Sequence, residues 1–117
     1  MTVQQATDIY KKYIWDVGGY DNLTDYWIAA KLFDMDVNMG RGEAGILAQR
    51  AANSLGSSLV EDGGLGPKSF AAINSYDPAT YMTALKGKCA DFYHAIVAQH
   101  PHLAEFLPGW LARANWP

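Results

Sequence analysis

Cysteine is nearly absent from this chain. Cys89 is the only one, so neither an internal disulfide nor a multi-cysteine zinc site can form. Charge is sparse as well, at 18% of residues, and a formal net charge of −3 supplies no broad basic field for nucleic acid. No stretch approaches the roughly 18 apolar residues of a membrane span. Residues 1–15, interrupted by Lys11 and Lys12, lack the unbroken apolar run of a signal peptide. Synthesis in the cytoplasm is therefore expected, with any route out of it supplied by something else. Internal repeats and low-complexity linkers are lacking too.

What is present is apolar residues, half of the 117, which excludes disorder and is enough for the core of one domain. Their period is helical. Thr2 and Gln5 have capping-box spacing, and Ala6, Ile9, Tyr10, Tyr13 and Ile14 follow on one face until Gly18-Gly19. A second helix is expected from about residues 21–24 to Met39, with Gly40 as its stop, and a third from Glu43 to Leu55. Ser57 to Gly66 breaks the pattern, with room for a short β-like excursion at Leu59 and Val60 and a tight turn at Asp62-Gly63-Gly64. Pro67 suits the first turn of a short helix to about Asn74, and Asp77-Pro78 is an N-cap followed by an N1 proline. The helix begun there keeps its period to Pro101, and a tail broken at Pro108-Gly109 completes the chain. The expectation is an all-α, compact single domain of about five helices with one irregular or β-like segment.

Few residues offer chemistry. His94, His100 and His102 include no pair at the i, i+4 spacing of a helical zinc motif, so no metal and no cofactor are expected. The Asp62-Gly63-Gly64 stretch lacks the lysine spacing of a phosphate-binding loop and reads as a structural turn. Asp34, Asp36 and Asn38 alternate along the second helix, where positions two apart point about 200° away from each other. Only Asp34 and Asn38 can share a face, to bond a neighbouring helix end or touch a ligand. Aromatics are 13% of the chain, and several, Trp15, Trp27, Trp110 and Trp116 among them, fall near element ends. Such rings fill cores and also serve as platforms for sugar faces.

Taken in order, these pieces resemble a known family. The run Leu32-Phe33-Asp34-Met35-Asp36-Val37-Asn38-Met39-Gly40, then Ala44, Gln49-Arg50-Ala51, Asp62-Gly63 and Gly66-Pro67-Lys68-Ser69, is similar to the glycoside hydrolase family 108 muramidases with their associated peptidoglycan-binding domain. The opening Thr2-Val3-Gln4-Gln5-Ala6 to Trp15-Asp16 and the Gly109-Trp110 to Arg113 segment fit the same order. The resemblance implies a lysozyme-like, phage-type cell-wall hydrolase acting on N-acetylmuramic acid to N-acetylglucosamine bonds. It also implies a peptidoglycan-binding region over about residues 28–117, within one domain spanning 1–117.

The family's acid is a glutamate in a Glu-Gly-Gly-Tyr element upstream of the helix with which this chain opens, and only Met1 precedes that helix here. Asp16-Val17-Gly18-Gly19-Tyr20 follows the helix and has Val17 in the glutamate's place, which makes Asp16 a weak catalytic candidate. The resemblance thus implies a peptidoglycan-directed domain, inactive alone, with glycan strands as partner and Trp27, Asp34, Asn38 and Trp110 as glycan-binding residues. An alternative is a protein-interaction module on the same scaffold. A face left open by a missing N-terminal half would be covered by that half or by a homodimer, with Ile9, Tyr13 and Ile14 at the contact.

Overall fold

A computed structural model describes residues 2–117. Among them are six α-helices: α1 (Val3–Gly18), α2 (Tyr26–Met39), α3 (Arg41–Ser54), α4 (Pro67–Ser75), α5 (Pro78–Gln99) and α6 (Leu107–Ala114). Two 3₁₀ turns, Tyr20–Asn22 and Pro101–Phe106, connect them, and no strand forms among the described residues. The all-α expectation holds, and the 57–66 segment is irregular rather than β.

Local chemistry accounts for most boundaries. Thr2 and Gln5 form the reciprocal capping box at the start of α1. Asp25, not a residue in 21–24, caps α2, because the preceding chain is taken up by the 3₁₀ turn at Tyr20. Asp77 caps α5 ahead of Pro78. α3 starts at Arg41, two residues before the expected Glu43, and Gly40, at φ 92°, serves as both C-cap of α2 and N-cap of α3. In the tail, Pro108 and Gly109 lie inside the first turn of α6, where proline is tolerated, and the break falls at Phe106-Leu107.

The core lies among α2, α3 and α5. Ala44, Ala48, Ala51 and Ala52 line the buried side of α3 and let its neighbours approach closely. Against them pack Ile28, Leu32 and Met35 of α2 and Tyr81, Leu85 and Cys89 of α5. The Tyr81 hydroxyl, completely buried, donates to the Ala48 carbonyl at 2.9 Å. α6 packs on α5 and brings Ala114 into the same core.

α1 differs from the rest. Only Ile14 and Gly18 of its residues are buried, while Val3, Ile9, Tyr10, Tyr13 and Val17 are exposed. The expected contact patch therefore needs correcting: Ile14 faces the core and cannot join Ile9 and Tyr13 on an outer surface.

Candidate functional site

Trp27, Lys31, Asp34 and Asn38 are spaced by four, three and four residues, which places them on one face of α2 over about 16 Å of helix. α6 runs beside part of that face. Lys31, 1% exposed, donates to the carbonyls of Arg113 and Ala114 at 2.9 and 2.8 Å. The ammonium thus satisfies carbonyls that the end of α6 leaves without intrahelical partners, at the negative end of the helix dipole. Burial pushes the lysine pKa below its ordinary value. Asp34 accepts from Arg113 at 2.9 Å in a half-exposed ion pair.

Beside this pair opens a groove of about 420 Å³ lined by Asp34, Gly109, Ala112, Arg113 and Trp116. Trp116 is 43% exposed, and Trp27, 54% exposed, stands at the start of the α2 face with Tyr26 packed edge-on at 5.3 Å. Trp110 is placed differently. Its ring stacks on Tyr93 at 5.4 Å and on Phe106 at 5.9 Å, so protein aromatics occupy much of its π surface. Asn38 turns its amide back to the Asp34 carbonyl at 2.7 Å. Of the four residues expected to meet glycan, Asp34 lines the groove, Trp27 and Asn38 share its α2 face, and Trp110 supports α6 from its other contacts.

Asp36 points elsewhere, as the two-residue offset requires. It accepts from the buried Tyr20 hydroxyl at 2.7 Å and from Arg41 at 3.2 Å, tying the chain after α1 to the α2–α3 junction. Burial, with help from the Asp36 carboxylate, raises the Tyr20 pKa far above its ordinary value, so this phenol stays a donor. Asp16 lies near the end of α1, ion-paired with Lys12 at 3.0 Å and half-exposed. Cys89 is buried with its thiol toward the Met35 sulfur at 3.5 Å, and burial lifts its pKa to about 11. That thiol is a packing group and not a nucleophile.

A second concave region forms where the irregular loop meets α4. Its organiser is Gln49, 1% exposed, whose Nε2 donates to Asp62 Oδ1 and the Gly64 carbonyl at 3.1 Å and to Ser69 Oγ at 3.2 Å. Its Oε1 accepts from the Gly63 amide at 2.9 Å, so every polar atom of this buried side chain is used to hold the loop. Asn53 clamps Leu59 through both its amide and carbonyl, and Arg50 pairs with Glu61 at 3.0 Å. Gly63 has φ 81° and lies directly against Gly45, where a β-carbon would overlap the Gly63 carbonyl. Between loop and helix remains a cavity of about 540 Å³ with Asp62 and Lys68 in its lining.

Residues 43–115 match the family model described as a predicted peptidoglycan domain. The chain belongs to this family. Residues 1–40 match the glycosyl hydrolase 108 model, so the two matches together repeat the order of motifs found in the sequence. No curated protein and no solved structure matches the chain. The peptidoglycan family, like the groove, thus reaches α6, while the hydrolase match contributes α1 and α2. Arg113 was not expected at the site, and neither was the buried Lys31, while Trp116 was named only among the aromatics able to serve as sugar platforms. The lysine had a visible signal: it is the one basic residue within the apolar run Ile28-Ala29-Ala30-Lys31-Leu32-Phe33, four residues after Trp27 and three before Asp34.

Proposed function

We propose that this chain attaches to peptidoglycan through the groove between α2 and α6. One observation carries the reading: in a chain of the peptidoglycan family, the Asp34–Arg113 pair lies beside the exposed Trp116 ring in an open groove. An aromatic face stacks on the apolar face of a pyranose, and a fixed carboxylate–guanidinium pair offers both acceptors and donors to its hydroxyl and acetamido groups. Trp27 extends the same surface along α2, so the binding region takes in residues upstream of the 43–115 match, as the expected span from about residue 28 does. The ligand is the alternating N-acetylmuramic acid and N-acetylglucosamine strand, and the place of action is the cell wall.

Attachment, not turnover, is the role proposed for residues 1–117. A glycosidase acid is a carboxyl kept protonated by an apolar pocket. Here Asp16 is paired with Lys12, Asp34 with Arg113 and Glu61 with Arg50. Hydrogen bonds from Asn53 and Arg50 also hold Glu61 below the usual carboxylate range.

The test is co-sedimentation with insoluble peptidoglycan. Wild-type chain is expected in the pellet, with Trp116→Ala and Trp27→Ala each reducing recovery, and no release of reducing ends. Equal recovery with and without the polymer would overturn the reading, and turnover abolished by Asp16→Asn would overturn the attachment-only role. A protein-interaction module is the second reading, favoured by the exposed apolar stripe of α1.

A further inference from the structure

Granting the peptidoglycan-directed reading, we propose that the cavity between the 57–66 loop and α4 is a second subsite. Its ligand is the peptide stem: a short peptide carrying a free side-chain ammonium group and a free carboxylate.

The cavity has the size and character of a small-ligand site. About 540 Å³ falls within the range of roughly 300–1,000 Å³ typical of such sites. Leu59, Val60 and Pro67 supply an apolar wall, and two opposite charges share the lining, Asp62 and Lys68. Asp62 has a defined orientation. It accepts from the Gly64 amide at 2.9 Å and from Gln49 at 3.1 Å, and both bonds fall on Oδ1. Oδ2 accepts no hydrogen bond from another described residue and remains available as an anionic acceptor. The same hydrogen bonds keep this carboxyl below the usual carboxylate range, which favours its charged form at neutral pH.

The α4 side of the lining suits an anion. Lys68 enters no ion pair among the described residues, and Gly66 caps α4 without a side chain, so no side-chain acceptor covers the first amides of that helix. The walls are preformed as well. Gln49, Asn53 and the Gly45–Gly63 contact fix the loop before any ligand arrives, which lowers the ordering cost of binding. A neutral sugar would leave both charges unused. A diamino-acid residue of a stem peptide, with ammonium and carboxylate on one short side chain, engages both.

The experiment is an amide-shift titration of the full chain with two soluble probes. One is the tripeptide L-alanyl-γ-D-glutamyl-meso-diaminopimelate, and the other is chitotetraose. The tripeptide is expected to shift the amides of Gly63, Gly64 and Ser69, whereas chitotetraose shifts α2 and α6. Acetylating the side-chain ammonium of the tripeptide should weaken its binding about tenfold, the worth of one charged hydrogen bond. This ligand-side change leaves the protein intact, so a folding defect in Asp62→Asn cannot be mistaken for lost recognition. Lys68→Gln, on an exposed side chain, should weaken the tripeptide and leave chitotetraose binding unchanged. Tripeptide shifts confined to the α2–α6 groove, no shifts at all, or equal affinity of the acetylated peptide would each overturn the subsite. Sedimentation with whole peptidoglycan separates the two readings: if it persists while the tripeptide fails, the subsite falls and the groove stands.

Discussion

Replacing Lys31 by methionine tests how α6 is held. Methionine keeps the length and apolar stem of lysine but removes the ammonium that donates to the Arg113 and Ala114 carbonyls. The Arg113 carbonyl also accepts from the Trp116 amide at 3.1 Å, so it keeps a partner. Ala114, 2% exposed, loses the bond that Lys31 makes to its carbonyl. An orphaned buried carbonyl costs about 1–3 kcal/mol, and the lost attraction to the α6 dipole adds up to about 1. Relief of the lysine's own desolvation acts in the opposite direction, since apolar replacement of a buried charge is often neutral or better. The partnering is good enough here for the loss to win, leaving a net destabilisation of about 2 kcal/mol, or roughly 8 °C in Tm for a domain of this size. Urea denaturation gives the total, and amide exchange along 107–114 gives its location. Unchanged stability together with protected α6 amides would refute the reasoning, because the lysine would then be a spectator of α6 docking.

Three further outcomes follow from particular contacts. Gly45→Ala forces a β-carbon into the Gly63 carbonyl, and an overpacking cost of about 3 kcal/mol is expected in urea denaturation, with the loop displaced. Glu61 and Asp62 are both held below their ordinary pKa, chiefly by bonds from Asn53 and from the Gly64 amide. Their contribution to the folded loop is therefore complete above the normal carboxylate range and lost as pH falls through the lowered values; amide protection factors in 57–66, each taken relative to the intrinsic exchange rate at that pH, should fall on acidification while those of α5 hold. Finally, the exposed stripe of Ile9, Tyr10, Tyr13 and Val17 on α1 is expected to pair two copies. Light scattering over a dilution series checks this, and a concentration-independent species of 12.8 kDa would end it.

The helices were legible in the sequence because their ends carry local chemistry. Thr2 with Gln5, Asp77 with Pro78 and Gly40 act through neighbours one to four residues away, and each did as its type requires. The start of α2 was less accessible, since Asp21 and Asp25 are both competent caps. The choice of Asp25 depends on Tyr20 entering the core and reaching Asp36, a contact across 16 positions. The site was half legible. The spacing of Trp27, Asp34 and Asn38 already gives one helix face, but what lies opposite comes from more than seventy positions later. Arg113, Trp116 and the fate of Trp110 between Tyr93 and Phe106 are products of docking α6, which no local pattern encodes. The loop was recognised as a turn, yet its cavity depends on Gln49 being buried beneath it, a tertiary event hidden in an ordinary helical glutamine.

Gly40 closes α2 and opens α3, and the two family matches meet just there, at 40 and 43. A boundary drawn by sequence kinship thus runs through the middle of one hydrophobic interior, with Ile28, Leu32 and Met35 on one side of it and Leu47, Ala48 and Ala51 on the other. Severed at that glycine, the second piece would bear the kinship to peptidoglycan proteins and yet lack a third wall for its own interior. The unit that inherits and the unit that folds are different lengths of this chain, and any transplant of the peptidoglycan domain into another protein must carry α2 with it.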